Sequence, residues 1–274
     1  MMTKRYKPYG GTNQYGHQQI LARGAFCLFT MLYLLVPAQV QSAVWDPRET
    51  EVLNLVNLQR SFRSLNSLNA DDRLHDAALG HSQAMSTYDF FSHTTLGGPN
   101  LNSQPRDRIA AAGYDLSLPS ASGENIAAGY GSDFLGITPV QMGALDAARD
   151  VMYGTTSLSA LSVFFGVAFA SWDMVGSSQN DTDWNGWGQG WMGSSGHRNN
   201  ILSTFFDDLG VGYVWEFDDT YPTAAIPYRT YWTQDFAAGD TQVVPLPAAA
   251  WLFVSSLLAM VAIQRRNGYG GNKA

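Results

Sequence analysis

Apolar residues recur along the first half of the chain with the spacing of helices, and along the second half with the alternation of strands. Asp46 followed by Pro47, with Glu49 and Glu51 in the first turn, marks a helix start, and Val52, Leu55, Val56 and Gln59 carry the helical spacing on towards Arg63. A second helix is expected from Asp71 or Asp72, with Leu74, Ala77, Ala78, His81 and Met85 on one face. That places His81 on the buried stripe as a satisfied core histidine and leaves His75 off it, in solvent. A short third helix, Pro105 to Ala112, stops at Gly113. Beyond it, Glu124 to Gly129 is too short and glycine-bounded for a helix and reads as a strand. Val211, Tyr213 and Trp215 alternate with smaller or polar residues. Tyr228, Thr230, Trp232, Gln234 and Phe236 alternate again across a proline-containing loop. Gly196 to Leu202 is expected to add one short helix before them. Helices first and antiparallel strands later predict an α+β layered domain.

Two segments between these elements stand apart. Leu158 to Trp172 is almost uninterruptedly apolar, through Leu161, Val163, Phe164, Phe165, Val167, Ala168 and Phe169. It is short of the roughly 20 residues a membrane helix needs, and a buried helix is expected, with a hydrophobic flap as the alternative. Asp181-Thr182-Asp183-Trp184-Asn185-Gly186 has oxygens at alternate positions and glycine at the sixth, as a calcium loop opens. The twelfth position is Met192 and not a bidentate Glu, so this is either a polar turn or a partial calcium site built on Asp181, Asp183 and Asn185.

The two ends are apolar in a different way. Arg23 precedes the run Gly24 to Leu35, and Val36-Pro37-Ala38 and Gln41-Ser42-Ala43 offer small-residue cleavage sites, the order of a secretory signal peptide over residues 1–43. Cys27, the single cysteine, lies near the start of that run, where neither a disulfide nor lipidation is expected. At the other end, residues 248–263 form an apolar run with Trp251 near one edge and Gln264-Arg265-Arg266 at the other. This is expected to be a transmembrane segment with its basic tail in the cytoplasm. Residues 44–242 between them are of a size for one domain.

Net charge sharpens this division. The whole chain carries −7, yet four of its 16 Lys and Arg precede residue 24 and three follow residue 264. The stretch between keeps nine arginines against all 23 Asp and Glu, about −14. Without clustered cations to displace counterions, nucleic acid is excluded as a partner.

Six strings occur in order through that acidic middle: Phe90-Phe91-Ser92-His93-Thr94, Ala112-Gly113-Tyr114, Gly123-Glu124-Asn125-Ile126-Ala127, Trp191-Met192-Gly193-Ser194-Ser195-Gly196-His197-Arg198-Asn199-Asn200-Ile201-Leu202, Gly210-Val211-Gly212 and Tyr231-Trp232-Thr233-Gln234-Asp235-Phe236. The succession resembles the bacterial branch of the CAP superfamily, the SCP-like proteins that include cysteine-rich secretory proteins, antigen 5 and pathogenesis-related 1 proteins. The resemblance implies a three-layer α-β-α sandwich around an antiparallel sheet, and a cleft where two histidines and acidic side chains converge. It makes 44–242 a CAP domain with an insertion at about 131–190, whose apolar run, in the alternative to a buried helix, would be a flap over the cleft that grips a lipid or acyl chain. Val244-Pro245-Leu246-Pro247-Ala248, with the apolar run and basic tail after it, resembles the VPLPA variant of the PEP-CTERM sorting signals read by exosortases. Residues 243–274 would then form a sorting signal whose anchor is removed on processing, and the partner would be an exosortase-type protease.

Carried over by position, the cleft residues are His93, Glu124 and His197. Two neutral imidazoles can hold a zinc ion, and a carboxylate can orient a water, bind the metal or fix an imidazole tautomer. Family members with a second cleft acid place it three residues after the tryptophan that here is Trp191, and this chain has Ser194 there. That departure weakens a metal site and hydrolytic activity alike. The expectation is an exported, surface-associated protein whose cleft binds a small molecule, a lipid or a divalent metal. The alternatives are a metal-assisted hydrolase of peptide or envelope polymer, with Glu124 as base, and a structural component of extracellular matrix or biofilm.

Overall fold

The computed structural model describes residues 43–117, 120–135, 138–223 and 225–239. The expected signal peptide, except Ala43, and the expected sorting signal with its apolar run lie outside the described residues. Among the described residues no helix is long and apolar enough to cross a membrane.

Helix α1 (Pro47–Ser61) begins as its sequence predicts: Asp46 accepts from the Arg48 amide, and the Glu49 carboxylate reaches back to the Asp46 amide. A two-residue strand, β1 (Asn69–Ala70), follows, then α2 (Asp72–Thr87), capped by Asp71 on the amides of Arg73 and Leu74. Helix α3 (Pro105–Ala111) precedes β2 (Ala121–Ala128). Residues 131–190 contribute a hairpin of β3 (Ser132–Leu135) and β4 (Thr138–Gln141), then α4 (Ala144–Tyr153) and α5 (Leu158–Phe165). Short helices α6 (Gly190–Gly193) and α7 (Ser195–Ile201) lead to β5 (Asp208–Trp215) and β6 (Thr230–Ala238).

The main sheet runs β1-β5-β6-β2. Its β5-β6 and β6-β2 pairs are antiparallel, as expected, and β1 adds a two-residue parallel pair to β5, which makes the sheet mixed. The period of two along β6 divides the molecule into layers. Trp232 and Phe236 face α1 and α4, packing with Val52, Val56, Ala147, Val151 and Trp191. Tyr231 and Ala237 face the other way, towards Met85 and Phe90 on one side and Leu74 and Ile109 on the other. The fold is therefore α+β, with helices on both faces of the sheet.

Close approach of α2 to the sheet depends on two glycines. A Cβ on Gly210 would lie 2.0 Å from the Leu74 carbonyl carbon, and one on Gly212 would lie 2.2 Å from the Leu79 amide nitrogen. The glycines alternate with Leu209, Val211 and Tyr213, whose side chains fill the opposite core.

Two expectations need correction here. His75 is not in solvent: it is 2% exposed, stacked on Trp45 with ring centroids 4.9 Å apart, and its Nε2 meets Glu49 Oε2 at 2.9 Å. A ring off the stripe of its own helix is buried by a different neighbour, the start of α1, which helical spacing cannot show. Leu158–Trp172 is not one buried helix. It is helical only to Phe165, because Gly166 takes a left-handed conformation (φ 65°) that ends α5. Leu161 alone on α5 is buried, and Val163 is 81% exposed. The core position expected of that run is filled by α4, whose Ala147, Ala148, Val151 and Met152 are fully buried.

Candidate functional site

Strand β2 lies at one edge of the main sheet and carries Glu124. Glu124 points to the α2-α3 side of the sheet and is almost completely buried. Its Oε1 accepts from His93 Nδ1 at 2.7 Å, and its Oε2 is paired with the Arg108 guanidinium. The His93 side chain is 52% exposed against 1% for Glu124, so a buried anion holds the inner edge of an imidazole whose outer edge meets solvent. A carboxylate only accepts, so Nδ1 carries the hydrogen, and in the neutral ring Nε2 is the nitrogen with the lone pair.

The loop that presents His93 is fixed from behind. His81, fully buried on α2, donates from Nε2 to the Ser92 carbonyl at 2.9 Å, and its Nδ1 accepts from the Thr95 hydroxyl at 3.3 Å. Arg108 donates to the His93 carbonyl (3.1 Å), to Thr95 Oγ1 (3.2 Å) and to the Ser103 carbonyl (3.0 Å). Burial pushes the His81 pKa down to about 4, Glu124 opposing and Arg108 assisting. Both ring nitrogens are thus used by a neutral imidazole, the satisfied core histidine its stripe predicts.

His197 comes from the other side of β2, near the start of α7. Asn125 Nδ2 donates to the His197 carbonyl (3.1 Å) and to Gln234 Oε1 (2.9 Å), while Asn125 Oδ1 accepts from Asn200 (2.8 Å). Arg60, buried on α1, donates to the carbonyls of Ile201 and Ser203 and so fixes the end of α7. Side chains of α6 and α7 also cover two carbonyls of the edge strand: Asn200 donates to that of Glu124 and Trp191 Nε1 to that of Ile126, each at 3.2 Å. The half-buried His197 ring is lowered in pKa by desolvation and then by the charge of His93. Ser194 ends α6 and precedes α7, and its side chain makes no capping bond.

Among the described residues no group of three or more His, Cys, Asp or Glu side chains is arranged to hold an ion, and His93 and His197 are two imidazoles only. Glu124 is committed on both oxygens to holding His93 and Arg108. In the 181–186 segment one oxygen each of Asp181, Asp183 and Asn185 already has a donor. Asp181 pairs with Arg63 at 2.5 Å, Asp183 accepts from the Asn180 amide at 2.7 Å, and Asn185 Oδ1 accepts from Arg198 at 2.8 Å. Arg63, just past the end of α1, and Arg198 on α7 thus tie this segment to those two elements.

Sequence reasoning missed Arg108, Asn125, Asn200 and Asp235. Three of them stand inside the six ordered strings, so their presence was legible and their roles were not. Arg108 stands outside those strings, and nothing local marks it.

No family profile and no curated protein matches the chain. Solved structures similar to it include an extracellular protein containing an SCP domain from Bacillus anthracis, at 23% identity over 70% of this chain and 40% of that one, with a TM-score of 0.39. An outer surface protein from Borrelia burgdorferi is 16% identical over 73% of this chain and 100% of its own, with a TM-score of 0.42. A cysteine-rich secretory protein from Staphylococcus aureus is 13% identical over 74% of this chain and 40% of that one, with a TM-score of 0.36. The chain thus spans less than half the length of the Bacillus and Staphylococcus proteins.

Proposed function

We propose that this is an exported, surface-associated CAP-domain protein whose His93/His197 cleft binds a small ligand or a divalent metal outside the cell. The observation that carries the reading is the exposed His93 held through Nδ1 by the buried Glu124, which leaves Nε2 free for a ligand. Neutral His197 supplies a second nitrogen. Zinc there would be held by His93 and His197 and would supply Lewis acidity, its remaining positions left to solvent or ligand. With two protein ligands the affinity should be modest and should fall as pH drops through the imidazole range, because a ligand nitrogen must be unprotonated. Glu124 is better placed to orient His93 than to take a proton from water, which favours binding over hydrolysis. Calcium at Asp181, Asp183 and Asn185 would have to displace three donors already in place.

Zinc titration of the exported protein, with His93→Ala beside it, tests the cleft. The variant should lose zinc binding and melt at nearly the same temperature as wild type without metal. Stoichiometric zinc retained by the variant, or unfolding on chelation, would place the site elsewhere. Hydrolysis of peptide or envelope polymer that disappears with His93→Ala would make the protein a metal-assisted hydrolase. Neither binding nor turnover would leave the matrix role.

Export rests on the signal-peptide order of residues 1–43, and surface sorting on the Val-Pro-Leu-Pro-Ala string with its apolar run and basic tail. Replacing Pro245 and Pro247 together should spare membrane insertion through residues 248–263 and block processing by an exosortase-type protease. Unchanged processing of the double variant, read by mass spectrometry of the surface protein, would reduce the segment to a plain anchor.

A further inference from the structure

Beneath the cleft lies a carboxyl group that has no part in the site as built from His93, Glu124 and His197. Asp235 sits on β6 directly opposite Glu124 in the register, between Thr233, whose hydroxyl meets Ser82 of α2, and Ala237, which packs on Leu74 and Ile109. By the alternation of the strand its side chain shares their face of the sheet, under Glu124 and Arg108. It is 0% exposed, and neither of its oxygens has a hydrogen-bond donor among the described residues. The side chain in hydrogen-bonding contact with it is Glu124, itself an acceptor. Arg108 is the neighbouring cation, but its Nη groups are bonded to Glu124, the His93 and Ser103 carbonyls and Thr95, while its Nε bonds to nothing described. Of the other titratable groups on this face, His81 is neutral at neutral pH, His93 is already held by Glu124, Asp208 accepts from Tyr114 and Asn69, and Tyr231 donates to Asp219.

A buried carboxylate without donors beside a second carboxylate is costly, and one guanidinium balances only one of the two charges. Two carboxyl groups can share a hydrogen bond only when one holds a proton. We propose that Asp235 is held as a neutral carboxylic acid that donates its proton to Glu124, and that it acts as a positioning residue for the Glu124–His93 pair. The second carboxyl of the cleft then comes from the central strand below and not from the position of Ser194. Glu124 receives three donors, from His93, Arg108 and Asp235, which fix the plane of its carboxylate and hence the direction of the His93 ring. Burial, followed by the charge of Glu124, raises the Asp235 pKa well above the usual carboxylate range, in the same sense. The consequence for ligand binding rests on the cleft reading above, whereas the shared proton stands whether or not the cleft holds a metal.

Infrared spectroscopy of the metal-free full chain at neutral pH tests this directly. The carbonyl stretch of a protonated carboxylic acid should be present, should shift when aspartate carboxyls are labelled with carbon-13, and should vanish in Asp235→Asn. That variant keeps a donor towards Glu124, so its thermal midpoint should not fall and its His93 nitrogen-15 shifts should still report a proton on Nδ1. Asp235→Leu removes the donor, and its His93 signals should move towards a mixture of tautomers. Absence of the band would mean that Asp235 is ionised against Arg108 and would overturn the proposal. A band that follows glutamate labelling, or that survives in Asp235→Asn, would do the same. Unaltered His93 signals in Asp235→Leu would refute the positioning role. Should either variant fail to fold, the labelled wild-type chain still decides where the proton resides. None of these readouts involves zinc, so failure of the metal reading leaves them intact.

Discussion

Three histidines within one small domain are driven in different directions by their surroundings. His81 and His197 are pushed towards the neutral form, His81 by burial down to about 4 and His197 by burial and then by His93. For His75, burial lowers the pKa but the hydrogen bond and charge of Glu49, with Asp76 assisting, outweigh it and raise the value. Their contributions to stability differ in sign accordingly. A depressed histidine stabilises the fold above its unfolded pKa of about 6.5, and that contribution is lost as pH falls through the folded value. For His81 the window runs from about 6.5 down to about 4 and is worth roughly 3 kcal/mol. His75 does the reverse: its contribution is complete below about 6.5 and is lost as pH rises through its raised value. His81→Gln should therefore flatten the fall in unfolding free energy between pH 6.5 and 4 by a large part of that amount, measured by urea unfolding at a series of pH values. An unchanged slope would show that His81 is not buried as a neutral ring. The helical stripe made His81 legible as a core histidine. It could not show that Glu49 would cover His75, because the two are 26 positions apart and meet only when α1 packs on α2.

At the scale of elements, capping chemistry and periodicity located α1, α2, α3, α7, β2, β5 and β6 to within a few residues, since each signal is carried by neighbours a turn or a pleat apart. The Leu158–Trp172 run shows where such signals fail. Apolarity without periodicity does not say which side will be covered, and on α5 Leu161 alone is buried. Helix α4 escaped notice for the opposite reason. Two of its five buried positions are alanines, Ala147 and Ala148, whose small side chains weaken the stripe made with Val151, Met152 and Tyr153, yet these residues pack α4 into the same core as α1. Gly210 and Gly212 make a related point about β5. Nothing in a Gly-Val-Gly string says whether the glycines serve a turn or an approach, and only the lie of α2 across the strand settles it. Gly212→Ala should push the α2 backbone off the sheet and cost about 3 kcal/mol or more, read as a fall in the denaturation midpoint. A loss below about 0.5 kcal/mol would mean that the helix can retreat without strain.

For the molecule as a whole, the acidic middle between two apolar ends was evident from composition. So was the alternation that sorts β6 into two faces: Trp232 and Phe236 on one, Tyr231 and Ala237 on the other. These properties are written in residue order because they depend on local spacing and on which side chains avoid water. The ordered strings likewise brought His93, Glu124 and His197 forward as a set. What only the tertiary structure decided is how that set is held. Glu124 stands 31 positions from His93 and 16 from Arg108, and it bonds both only because the loop before α3 folds back over β2. Asp235 lies opposite Glu124 through strand register, 111 positions away in the chain. Arg63 and Arg198 reach Asp181 and Asn185 only because the segments that carry them fold together, 118 and 13 positions apart in the chain. Burial and charge act through space, so a residue's protonation and bonding are set by neighbours that the order of the sequence does not identify.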